Sequence, residues 1–310
     1  MSTLRIDTHQ HVVPPAYAAW MRSRGITAGG WAMPDWSVEG AHELMAGAKV
    51  GTGMLSISTP GVHIGDDGEA RERAREFNEY TAAVVKAHPG RFGFFATLTL
   101  PDVEGAIAEA DYAYDHLGAD GVILLTNVGR QYLGDAEWDP LFAALEKRKA
   151  VIFVHPADLP GEPLETIPPH VCDFLLNTTR AAINMAKSGM LERYPNLKII
   201  LAHGGGFLPY AAERVARTVS PDGTNPPGLA RLRKFWFDIA LASSPYALPS
   251  LLAFADPAQI TYGSDWPYAP KERGWHFARQ FEEFAMDPAA RYGIERGNAE
   301  RLFPRLAGKG

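Results

Sequence analysis

A single cysteine, Cys172, leaves this 310-residue chain with no internal disulfide and no multi-thiolate metal site. A lone thiol fits a reducing compartment. No cluster of basic residues is present and the net charge is −6, so nothing in the sequence favours nucleic acid or an anionic membrane as partner. A small molecule is the expected partner. No apolar run approaches the roughly 18 residues of a membrane-spanning helix. Arg5, Asp7, His9 and His11 stand where a signal peptide would need an apolar core. These absences predict a cytoplasmic protein. No GxGxxG turn follows the first apolar run, which argues against a dinucleotide-binding, doubly wound sheet.

What is abundant is short apolar segments. Eight of them, at 4–13, 50–58, 92–100, 120–126, 150–156, 198–204, 235–241 and 259–265, are rich in Val, Ile, Leu and Phe. Most are continuously apolar rather than alternating, the pattern of strands buried on both faces of a parallel sheet. Helical spacing follows, for example over 69–88, 103–117, 138–149 and 208–218. Eight β-then-α units in a chain of this length predict a distorted (β/α)8 TIM barrel with loop insertions at its C-terminal face, one domain over 1–310. Pro- and Gly-rich stretches at 29–34, 159–169 and 221–228 read as loops, two of them long enough to cover a site.

In such a barrel the active site forms at the carboxyl ends of the strands. His9 and His11 fall at the end of the first run, His155 at the fifth, His203 at the sixth and Asp265 at the eighth. Each has an ordinary reading when taken alone. The HxH pair could be a polar strand end, its two imidazoles on one side because strand side chains alternate. His155 could be a core histidine satisfied by backbone, His203 could open a glycine turn, and Asp265 could cap an Asx turn. Convergence of all five on one rim predicts a metal site. The other histidines, 42, 63, 88, 116, 170 and 276, have no strand-end partner, and Cys172 has no assignable base.

The set IDTHQH, FVHP, LAHGGGFLPYAAER and YGSDWP, in this order, resembles the amidohydrolase superfamily, in particular its nonoxidative decarboxylases related to aminocarboxymuconate semialdehyde decarboxylase. The likeness covers nearly the full chain. The loop segments HVVPPAY, GWAMPDWS and TNVGRQYLGDAEWDPLF look most like 6-methylsalicylate decarboxylases and related o-hydroxybenzoate decarboxylases.

This resemblance implies that His9, His11, His155 and Asp265 bind one divalent metal, with His203 beside it and His203 or Asp265 as the proton-handling group. Three imidazoles and a carboxylate suit Zn²⁺ first and Mn²⁺ as the alternative. The strand-four segment ILLTNVGR has no lysine to bridge a second metal. Arg214, eleven residues after His203, matches a family arginine that reaches the substrate carboxylate across a subunit interface, which implies a homodimer or tetramer. No arginine lies between Arg24 and Arg71, a departure that disfavours a dicarboxylate substrate. A small aromatic monocarboxylate is expected, in a pocket lined by Trp31, Trp36 and Trp266, with Asn127 and Arg130 as further candidates. The same ligands would also serve a hydrolase of lactones or amides, and a noncatalytic ligand-binding barrel is a third alternative.

Overall fold

The computed structural model describes residues 4–161 and 163–308; Glu162, within the stretch expected as a loop at 159–169, lies outside them. Eight strands follow one another around a barrel in chain order: β1 (Arg5–His11), β2 (Val50–Ser56), β3 (Phe92–Thr97), β4 (Gly121–Leu125), β5 (Val151–His155), β6 (Lys198–Leu201), β7 (Trp236–Asp238) and β8 (Ile260–Thr261). Each pairs in parallel with the next. The ring closes where Thr8 N donates to Tyr262 O (2.9 Å) and His11 N to Trp266 O (2.7 Å). The (β/α)8 barrel expected from the apolar runs is the observed fold.

Continuous apolarity has its cause in two separate cores. Leu55, Phe94, Val122, Ile152 and Ile199 point outward into the shell between strands and helices. Met54, Phe95, Ile123, Phe153 and Ile200 point inward and fill the barrel. Phe303, from the C-terminal segment, joins the inner cluster with its ring 5.7 Å from Phe95. Each such buried phenylalanine contributes about 1.5–3 kcal/mol. Arg296 Nη1 donates to Leu4 O (3.0 Å) and Asn298 Nδ2 to Ile260 O (2.6 Å), which fixes this segment at the amino ends of β1 and β8. One end of the barrel is thereby plugged, and the carboxyl ends of the strands are left for a site.

Several boundaries differ from the sequence expectation. The runs at 198–204 and 259–265 leave the sheet at Leu201 and Thr261, so His203 and Asp265 lie beyond strands rather than at their ends. The helix expected over 103–117 ends at Tyr112 and continues as a π-helical turn, Ala113–Leu117. The helix Pro169–Lys187 begins where the 159–169 loop was expected to end. The helix Asn225–Leu232 takes the second half of the expected loop at 221–228, because Pro226 and Pro227 sit in its first turn, where proline costs no hydrogen bond.

Candidate active site

The two histidines of β1 turn the same way, and their Nε2 atoms stand 3.1 Å apart. Gln10, between them, donates instead to Asp7 Oδ2 (3.1 Å). His155 ends β5. His203 and Asp265 reach the same place by another device: each follows its strand in a turn and adopts a left-handed φ, 56° and 65°. This conformation is uncommon outside glycine, and aspartate and histidine are among the residues that adopt it most readily. Gly263 lets the second of these turns approach β1. A Cβ there would stand 2.8 Å from His9 Cβ, so only glycine lets the segment after β8 close against β1.

Asp265 Oδ1 lies 3.2 Å from His9 Nε2 and 3.3 Å from His11 Nε2, while its Oδ2 lies 3.2 Å from His203 Nε2. One ligand atom each from His9, His155, His203 and Asp265 falls within a 4.8 Å group, all four residues buried. His203 is therefore closer to the cluster than a bystander, and His11 joins through its contacts with His9 and Asp265.

The far sides of the rings decide what the cluster can hold. His9 Nδ1 donates to Asp238 Oδ2 (2.9 Å), His11 Nδ1 to Ser56 Oγ (3.0 Å), and His155 Nδ1 to Pro156 O (2.9 Å). With Nδ1 as donor on each ring, three Nε2 lone pairs converge beside a carboxylate. Such a set requires one positive charge among them, and a divalent cation meets that requirement. Burial pushes His155 well below and His11 below the usual histidine range. Burial would lower His9 too, but the Asp238 and Asp265 carboxylates outweigh it and raise it to about 10, so without a cation the required positive charge is a proton on His9, which a bound metal would displace to free the third lone pair. Burial would raise Asp265, yet the imidazoles around it, His9 foremost, hold it well below the usual carboxylate range.

A cavity of about 920 Å³ opens over this cluster, with Ser58, Phe174 and Tyr268 in its wall beside His155, His203 and Asp265. Trp31 lines the mouth, its Nε1 donating to His170 Nδ1 (2.6 Å). The other expected lining residues are elsewhere. Trp36 and Trp266 pack on each other, ring centroids 6.4 Å apart, in the helix-facing core. Asn127 is consumed by the scaffold: it donates to Gly129 O (2.8 Å) and accepts from Asn177 Nδ2 (2.7 Å). Arg130 and Arg214 are exposed and lie outside the cavity wall, Arg214 on the helix Leu208–Val219.

Three residues of the site were not singled out from sequence. Asp238 had a visible signal, as the only acid in the apolar run FWFDIAL. Ser56 and Tyr268 had none. Burial holds the Tyr268 phenol above its ordinary range, so it stands over the cluster as a neutral hydroxyl, its ring centroid 5.3 Å from that of His11.

The amidohydrolase family model matches residues 6–305. The chain belongs to the amidohydrolase family. Among curated relatives, it is 37% identical over 320 residues to 6-methylsalicylic acid decarboxylase of Penicillium expansum, covering 98% of this chain and 97% of that one. A crystal structure described as amidohydrolase II superposes with a TM-score of 0.92 at 28% identity, covering 97% and 99% of the two chains. Dihydroxybenzoic acid decarboxylase from a Polaromonas species, crystallised with manganese and 2-nitroresorcinol, shares the fold of this amidohydrolase with a TM-score of 0.81 at 23% identity, covering 98% and 97%.

Proposed function

We propose that this amidohydrolase is a metal-dependent, nonoxidative decarboxylase of a small ortho-hydroxybenzoate of the 6-methylsalicylate type. The observation that carries this reading is the convergence of three Nε2 lone pairs and the Asp265 carboxylate on the floor of a mostly apolar cavity, in a chain 37% identical to such an enzyme. His9, His11, His155 and Asp265 would hold the metal, with His203 at the same distance from Asp265. When bound, a divalent ion, zinc in the first instance and manganese as the alternative, supplies Lewis acidity and a template for the carboxylate and the adjacent phenol oxygen.

The chain's own groups handle the proton. Loss of CO₂ from an aryl carboxylate would leave a carbanion unless the ring carbon is protonated first. Asp265, with one oxygen toward the histidines and the other 3.2 Å from His203 Nε2, takes the phenol proton and delivers it to the ring carbon that bears the carboxylate. The C–C bond then breaks, its electron pair returns to the ring, and CO₂ leaves a phenolate that regains a proton from solvent. Phe174 and Tyr268 flank the ring and exclude water. The one-domain, cytoplasmic reading is part of this proposal; no described helix is long and apolar enough to cross a membrane. So does a dimer or tetramer in which Arg214 reaches a neighbouring cavity: Arg214 is exposed, and Tyr210 and Tyr246, each 89% exposed, rim the mouth.

Metal-loaded protein should convert 6-methylsalicylate to 3-methylphenol and CO₂ with near-stoichiometric zinc or manganese, and His155→Ala should lose both metal and activity. Ring opening of simple lactones with no CO₂ from any ortho-hydroxybenzoate would replace this reading with hydrolysis.

A further inference from the structure

The cavity is far larger than a methylsalicylate requires. Its volume of about 920 Å³ lies near the top of the roughly 300–1,000 Å³ range that encloses drug-sized ligands. Much of its wall comes from the segments after β6 and β7. Phe207, Leu241, Ala242 and Leu251 line this sector, Ser250 contributes a hydroxyl, and among the described residues the charged wall residues other than Asp265, which are Glu272 and Arg273, come from the segment after β8 instead.

The turn after β6 forms part of the floor of this space. Gly204 and Gly206 both have a φ of 65° and both line the cavity. A Cβ on Gly206 would stand 2.1 Å from Leu175 O, and one on Gly204 would stand 3.2 Å from Ala242 Cβ. Close packing and a left-handed φ favour glycine at both positions, so the floor carries no side chain there. At its edge stands His203, buried, its Nδ1 without a hydrogen-bond partner. The lobe is thus continuous with the histidine cluster and dressed for an apolar group.

We propose that this lobe receives an alkyl chain of several carbons at the ring position where 6-methylsalicylate carries its methyl group, so that the enzyme prefers ortho-hydroxybenzoates bulkier than the methyl acid. The inference rests on the decarboxylase reading for its chemistry and on the lobe alone for its preference. The chain lies over Gly204 and Ala242 toward Leu251, while the carboxylate and phenol stay at the cluster.

Calorimetric binding of 2-hydroxy-6-methylbenzoate and 2-hydroxy-6-pentylbenzoate to the metal-loaded protein tests it, with CO₂ release measured alongside. The pentyl acid should bind at least about tenfold more tightly, since each fully buried methylene is worth up to about fourfold. Ser250→Phe, and independently Ala247→Trp at the lobe's exposed edge, should each reduce that ratio toward one. Equal or weaker binding of the pentyl acid, as when a second copy of the chain fills the lobe, would overturn the proposal, as would a ratio indifferent to both substitutions. Preferential pentyl binding without CO₂ from either acid would sink the decarboxylase reading and leave the lobe standing.

Discussion

Asp238 holds the site together through three bonds. Its Oδ2 accepts from His9 Nδ1 at 2.9 Å, and its Oδ1 accepts from the backbone N–H of His203 (3.1 Å) and of Ala240 (2.8 Å). One carboxylate therefore sets the orientation of a metal-facing imidazole and the position of the turn that carries His203. Asp238→Asn keeps an acceptor for the backbone but loses the charge behind His9. Metal affinity should fall about 10- to 100-fold, read by competition with a chelator, while the circular dichroism spectrum stays that of the parent. Unchanged affinity would mean that His9 needs no carboxylate behind it. The five cluster residues were legible in the sequence because histidine and aspartate at the ends of apolar runs are conspicuous. The supporting residues were harder to see, because Ser56 and Tyr268 look ordinary until the barrel closes and brings them to the rings.

At the scale of elements, the apolar runs located all eight strands, since burial on both faces is written directly as hydrophobicity. Strand ends were less legible. The turns at His203 and Asp265 are left-handed, and hydrophobicity carries no record of φ. Helix starts depended on single side chains, as at Asp102, whose Oδ1 accepts from Gly105 N (3.0 Å) at the start of Val103–Tyr112. The half-exposed Arg71 also donates to both carboxylate oxygens, at 2.7 and 2.8 Å. Arg71, together with the capping bond, holds Asp102 below its ordinary value of 3.8. A depressed folded-state pKa contributes stability above the ordinary value, and that stability is lost as pH falls through the depressed one. Asp102→Ala should therefore cost about 1 kcal/mol at pH 7. In urea unfolding the gap from the parent should narrow as pH drops below 3.8. A gap that held constant to acid pH would show that the charge contributes nothing.

The whole molecule divides its two ends between stability and chemistry. Phe303, Arg296 and Asn298 close the amino end of the barrel, and the carboxyl end gathers five polar side chains under a cavity whose charged wall residues besides Asp265, among the described residues, are Glu272 and Arg273. That division follows from the parallel barrel, which sends every strand's carboxyl end to one face. The cavity's extent, by contrast, was not legible. It depends on glycines after β6 and on residues after β7 that meet only in three dimensions, and it excludes Trp36 and Trp266, whose size drew them into the core.

The central claim is that this face removes CO₂ by first protonating the ring carbon. The most direct measurement is turnover of 6-methylsalicylate by the zinc- or manganese-loaded protein in D₂O, followed by NMR and mass spectrometry of the product. The account predicts one CO₂ per substrate consumed and 3-methylphenol with a single deuterium at the carbon that bore the carboxylate. Intact 6-methylsalicylate, with hydrolysis of added lactones by the same preparation, would contradict it.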